Sequence, residues 1–281
     1  MKKLLIVAVL LACHLLPAGA QRTEVLLEKG WKFIHQDEAE AMKSEYNDTK
    51  WEDVTVPHDW AIYGPFSEQF DLQNVAVTQN YEKKASLKTG RTGGLPYMGV
   101  GWYRTHFSIP NLDKTNQRVT LLFDGAMSEA RVYINGKEAI FWPYGYNAFH
   151  VDVTDLLNAD GQDNLLAVRL ENREESSRWY PGAGLYRNVH LITTNKTHIP
   201  VWGTHVTTPH VEKEFATVRL RTNVNTAKGE NLKVKTSIYL GGAWAYSYNL
   251  ACCWLLLCRV GNNQTACCCC LSRVWEYKYS V

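Results

Sequence analysis

An excess of charge of either sign is missing from this chain. Lys and Arg together number 30 against 28 Asp and Glu, a formal net charge of +2 over 281 residues. No basic stripe of the kind that neutralises phosphates is present, which argues against a nucleic-acid partner. Long apolar runs are also scarce beyond the N-terminus. The tail stretch Leu250 to Cys258 falls far short of the roughly 20 residues that a membrane-spanning helix requires. Cysteine is nearly absent from the body of the chain, because seven of its eight cysteines fall between Cys252 and Cys270. Helical periodicity is almost lacking as well. What remains is an ordinary globular balance, 46% hydrophobic and 21% charged, which excludes a disordered protein. Ten Trp and 15 Tyr are many. Carbohydrate surfaces use such rings, and a Trp-rich core explains them equally well.

The first twenty residues read as an export signal: Lys2 and Lys3, an apolar run from Leu4 through Leu16, the breaker Pro17, then Ala18-Gly19-Ala20. Small residues at the first and third of these positions suit cleavage after Ala20, and place the mature chain in the periplasm or outside the cell. A lipoprotein signal with Cys13 as the lipidated residue fits less well, since Leu11 suits it poorly and the apolar run continues past Cys13.

The rest alternates. Val54 and Val56 are spaced as in a half-buried strand that Pro57 ends, because proline cannot donate to a ladder. Trp102 to Ile109 sets Tyr103, Thr105 and Phe107 on one face and Trp102, Arg104 and His106 on the other. Asn135-Gly136 between two apolar runs predicts a two-residue hairpin, since both residues accept positive φ. Further strands are expected at Val119–Phe123, Phe149–Val153, Leu165–Leu170, Arg187–Ile192, Ala216–Arg221 and Leu232–Leu240. Asp37 to Tyr46 is charged and is expected to be exposed or briefly helical, and residues 71–98 to form a long surface loop. Many short antiparallel strands argue a β-sandwich, with Trp102, Phe107, Leu121, Phe123, Val132, Phe149, Val151, Leu166 and Val168 buried. Periodicity alone leaves a jelly roll and an immunoglobulin-like sandwich equally open.

The most informative stretch is Ser177-Arg178-Trp179-Tyr180-Pro181-Gly182-Ala183-Gly184-Leu185-Tyr186-Arg187. Gly182 and Gly184 permit close backbone approach, and Trp179 and Tyr180 offer flat faces with polar edges. Such a loop can present a sugar-sized surface or can simply pack one corner of a sandwich. His58 and Asp59 follow a strand end. As neighbours on an extended chain they point to opposite faces, which suits a structural role better than acid–base work.

This stretch stands in order behind four others: Trp51 to Trp60 with its Val56-Pro57-His58-Asp59-Trp60 run, Gly99 to Arg104, Phe123-Asp124-Gly125, and Val132 to Gly136. Together they resemble the N-terminal sugar-binding domain of glycoside hydrolase family 2, the β-galactosidase-like enzymes, from about Gly30 to Leu240. The resemblance implies an all-β chain: a galactose-binding-type jelly roll over residues 21–195, then an incomplete immunoglobulin-like sandwich over 196–242, a fold that needs roughly 100 residues. It implies a retaining glycosidase acting on a β-galactoside or related glycan, with Arg178 and Trp179 bordering the sugar subsite and His58, Asp59 and Trp60 as further candidates. In the family the two catalytic Glu residues lie in a barrel, the acid/base one directly after an Asn. No Asn-Glu pair occurs in this sequence. No catalytic residue, metal ligand or cofactor is therefore assigned here, and the chain is expected to be a truncated, inactive N-terminal part of such an enzyme. Glu171, Glu174 and Glu175 are expected to belong to a solvated loop. The alternative is a stand-alone carbohydrate-binding module.

Residues 243–281 differ in composition, with four consecutive cysteines from Cys267. Neighbouring cysteines rarely meet bridge geometry with one another, and no second well-spaced pair or nearby His completes a metal site. This tail is expected not to be a native fold, which would leave the strands near Ala216 and Leu232 with unpaired edges.

Overall fold

The structure is a computed structural model. It describes residues 22–75, 86–88, 96–158, 161–173, 176, 179–212, 216–226, 232, 234–240, 243–250 and 264–271. The export-signal expectation lies outside these residues, as do Arg178, Glu174 and Glu175.

The first unit, Gln21–Asn195, begins with strands β1 (Arg22–Leu26), β2 (Trp31–Ile34) and β3 (Glu52–Val54) and a single helical turn α1 (Trp60–Tyr63). The short pair β4 (Gln73–Val75) and β5 (Ser86–Lys88) follows, then β6 (Gly99–Phe107), β7 (Gln117–Phe123), β8 (Ala130–Ile134) and β9 (Lys137–Trp142). The unit closes with β10 (Phe149–Asp152), β11 (Asn164–Asn172) and β12 (Val189–Asn195). Two antiparallel sheets result, one in the order β1-β12-β7-β10 and the other β3-β2-β6-β11-β8-β9. Their longest pairing runs from Phe107 opposite Asn164 to Gly99 opposite Asn172.

Inward side chains of both sheets meet in one core, where Phe123 stacks on Phe149 with ring centroids 4.8 Å apart. This is the jelly-roll sandwich expected. Of the nine positions expected inside, all are buried except Val151, which is half-buried. Asn135 and Gly136 carry φ of 50° and 82° and join β8 to β9, as a two-residue hairpin turn demands.

Two expectations are corrected. Residues 71–98 are not structureless throughout, since β4 pairs with β5. Asp37 to Tyr46 is largely exposed, as expected, and not helical. It forms a strap of turns over the outer face of the six-stranded sheet, beneath which Trp102, as expected, and Arg104 are buried. Trp102 packs there with Ala41, Trp51, Leu165 and Ala167. The Arg104 guanidinium donates to the carbonyl oxygens of Ala41, Lys43 (2.9 Å) and Tyr46 (3.3 Å) and to the Asp48 carboxylate (2.6 Å). A buried cation persists only when its donors are satisfied in this way.

The second unit contains Lys196–Val281. Its described elements are all strands: β13 (Thr204–Val211), β14 (Ala216–Val224), β15 (Val234–Leu240), β16 (Ala243–Leu250) and β17 (Gln264–Leu271). Here lies the second correction. Both edges of β14 are occupied, by β13 and by β17, and β15 pairs with β16.

Candidate functional site

Four connections converge at one end of the first sandwich: residues 55–66 after β3, 124–129 between β7 and β8, 143–148 between β9 and β10, and 179–188 ahead of β12. The sequence builds this end around an aspartate and a glycine. Asp59 takes an extended conformation as N-cap of α1, and its Oδ1 accepts from the Ala61 amide at 3.0 Å, satisfying one of the donors that a helix start leaves open.

The same carboxylate reaches across the chain. Oδ1 also accepts from the Ala183 amide at 3.1 Å, and Oδ2 accepts from the Tyr180 hydroxyl at 2.8 Å. Burial pushes the Asp59 carboxyl above the ordinary range, opposed by these three donors.

Gly184 makes the close approach possible. Its φ is +81°, and a Cβ there would sit 2.6 Å from the His58 carbonyl oxygen and overlap the Tyr103 hydroxyl. The His58 amide donates to the Leu185 carbonyl at 2.7 Å, and Gly184 exchanges two backbone bonds of 3.0 Å with Met127.

Beneath this corner lies a buried ring cluster. Trp60 stacks on Phe33 with centroids 5.5 Å apart, and its indole N–H donates to the Tyr97 carbonyl at 3.1 Å. His58 Nδ1 stands 2.8 Å from the Tyr103 hydroxyl. Burial holds that phenol well above its usual range, so it keeps its proton. Burial also pushes His58 down. His35 packs against Phe33, Tyr97 and Trp60, its Nε2 is buried without a hydrogen-bond partner, and burial with the neighbouring His58 pushes it down to about 4.

Above the corner the rings are exposed. Trp179 is 59% exposed, and its indole N–H donates to the Tyr146 hydroxyl at 2.9 Å. Tyr144 and Tyr146 lie with centroids 5.6 Å apart, and both are exposed, as is Tyr180. Tyr186 donates its hydroxyl proton to the Gly145 carbonyl at 2.7 Å, tying the 143–148 loop down. A pyranose presents apolar C–H faces and hydroxyl edges, and exposed rings whose polar edges are held in place can stack on the first and hydrogen-bond the second.

Of the five sequence candidates, Trp179 stands at this surface. Asp59 and His58 stitch the corner below it. Trp60, only 1% exposed, lies in the core beneath it. Arg178 lies outside the described residues. Tyr144 and Tyr146 were missed, although Trp142-Pro143-Tyr144-Gly145-Tyr146-Asn147 shows two aromatics beside turn formers between two strands. Glu171 is engaged by Arg169 at 3.0 Å and Arg173 at 3.7 Å, so it is an ion-pair partner and not a free loop acid. Among the described residues no group of three or more His, Cys, Asp or Glu could hold a metal ion.

Comparison with known proteins finds relatives of the first unit. A family model described as glycosyl hydrolases family 2, sugar binding domain, matches residues 26–195. The chain is 36% identical over 211 residues to Beta-galactosidase BoGH2A of Bacteroides ovatus, covering 74% of this chain and 23% of that protein. It is 32% identical over 211 residues to a putative beta-glucuronidase of Formosa agariphila, covering 74% and 18%. Among solved structures, a glycosyl hydrolase family 2 member from Bacteroides cellulosilyticus superposes with a TM-score of 0.71 at 28% identity, covering 91% of this chain and 31% of that one. A beta-glycosidase from Bacteroides vulgatus gives 0.68 at 33% identity, covering 81% and 27%. The chain thus spans about a quarter or less of the length of these curated relatives.

Proposed function

The chain belongs to glycoside hydrolase family 2 through its sugar-binding domain, and from that premise we propose that it serves an exported enzyme hydrolysing O-glycosidic bonds of β-galactosides or related glycans. In this reading the whole enzyme is retaining, with two carboxyls about 5–5.5 Å apart. In this reading the first unit contributes a sugar-facing surface, and the chain alone does not turn over substrate. The leader pattern of residues 1–20 supports export to the periplasm or beyond.

The observation that carries the reading is the exposed ring group Trp179, Tyr180, Tyr144 and Tyr146, held by hydrogen bonds to Asp59 and between Trp179 and Tyr146. Rings exposed without purpose are costly to solubility, and rings locked in place by their polar edges are suited to a flat ligand. Titration of the chain with methyl β-galactoside and methyl β-glucuronide, followed by tryptophan fluorescence, tests it. Weak binding near a Kd of about 1 mM, roughly −4 kcal/mol, is expected for one stacked sugar. The Trp179→Ala variant should lose the signal. Saturable binding of neither glycoside, or binding unchanged in that variant, overturns the reading. The preferred glycoside decides between galactoside and glucuronide.

A further inference from the structure

Asp59 sits 121 and 124 residues before Tyr180 and Ala183, yet one carboxylate binds both, together with the first turn of α1. Three donors on two oxygens leave this group little capacity for a ligand. Its partners bracket the ring-bearing segment: Tyr180 adjoins Trp179, and Ala183 lies between the two glycines whose φ of +77° and +81° fold the turn. Removing the carboxylate would leave two backbone amides and a phenol without their acceptor and free the segment from the 57–63 corner.

We propose that Asp59 is a positioning residue, which fixes the height and tilt of the Trp179–Tyr180 surface by tying residues 180–183 to the start of α1 and does not itself contact sugar. This rests on the sugar-binding reading above for its functional half, while its structural half stands separately. Charge is not required for the task. In Asp59→Asn the amide oxygen can still accept from Ala61 and Ala183, and the new NH₂ can donate to the Tyr180 oxygen, which turns from donor to acceptor. A direct sugar ligand would lack this tolerance, since a carboxylate that accepts from sugar hydroxyls loses an acceptor on becoming an amide.

The test compares Asp59→Ala, Asp59→Asn and Tyr180→Phe in the full chain by glycoside titration and by amide hydrogen exchange resolved to segments. Asp59→Ala is expected to speed exchange in residues 180–184 and 60–63 by about tenfold or more, with the hairpin at Asn135 unchanged, and to weaken glycoside binding about tenfold. Asp59→Asn should recover most of both losses. Tyr180→Phe should weaken binding by a smaller factor, and in combination with Asp59→Ala should add little, because both act through one contact. Where Asp59→Ala does not fold, the other two variants decide. Asp59→Asn binding as weakly as Tyr180→Phe or worse, with exchange in residues 180–184 at the wild-type rate, would mean that the charge meets the sugar directly and would overturn the proposal. Unaltered exchange in every folded variant would overturn it as well. Should the wild type bind neither glycoside, the functional reading fails while the exchange arm still decides whether Asp59 positions this surface.

Discussion

Two ring clusters linked through Asp59 put the same side-chain types to opposite uses. Around Trp60 the rings are buried, stacked on Phe33 and Tyr103, and the indole N–H meets a main-chain carbonyl. Around Trp179 they face solvent, and the indole N–H meets another exposed side chain, Tyr146. An indole anchored to the backbone is part of the frame. An indole anchored to a second exposed ring stays at the surface and gains a fixed orientation. Asp59 joins the clusters, because it begins the helical turn that carries Trp60 and receives the hydroxyl of Tyr180.

The contrast is sharpest under truncation. Trp60→Ala should cost about 3–5 kcal/mol, as expected for removing a large buried aromatic, whereas Trp179→Ala should cost under about 1 kcal/mol while abolishing the sugar signal. Denaturant unfolding of both variants checks this, and equal losses would erase the distinction between frame and surface.

A smaller effect is expected at the joint. Gly184→Ala places a methyl against the His58 carbonyl at a φ of +81°, and a loss of about 2–3 kcal/mol should follow, read as a lowered unfolding midpoint.

The smallest effect concerns His35 in the buried cluster. With a folded pKa near 4 against an ordinary 6.5, His35 binds its proton only on unfolding across that window. Stability should therefore fall as pH drops from 6.5 towards 4. The half-buried setting of the ring moderates the slope. His35→Phe, which needs no partner for the buried Nε2 position, should flatten the acid limb of Tm against pH and leave Tm near pH 7 within a few degrees.

How much of this was legible follows from how far each contact reaches. The hairpin at Asn135-Gly136 is a local matter of φ, and two adjacent residues state it. Strand alternation revealed the faces of β7 and β8 because each buries one side against the opposing sheet. For β6 and β11 it could not show what covers the outer face, a strap whose acceptors for Arg104 lie 56–63 residues earlier. Backbone carbonyls hold that strap, and a carbonyl has no residue type to recognise. Asp59 shows the same limit in the site. Next to His58 it looked like half of a pair, yet the partners that define its work lie more than a hundred residues away. The segment around Trp179 was legible as a surface because its glycines and rings are contiguous, while Tyr144 and Tyr146 became part of it only through tertiary folding.

The strap has a consequence for how this sheet can change over time. Three of the four acceptors of Arg104 are main-chain oxygens, which any amino acid supplies, and Lys43, Ser44 and Glu45 face solvent. Substitutions at those three positions leave the anchor intact, so the strap can be rewritten there for charge, solubility or a new recognition epitope while Ala41, Met42, Tyr46 and Asp48 are held fixed. The freedom is asymmetric: the guanidinium at position 104 has no such latitude, since no other side chain offers five donors in one planar fork. A library randomising residues 43–45 should yield mostly folded proteins, and one randomising residue 104 almost none.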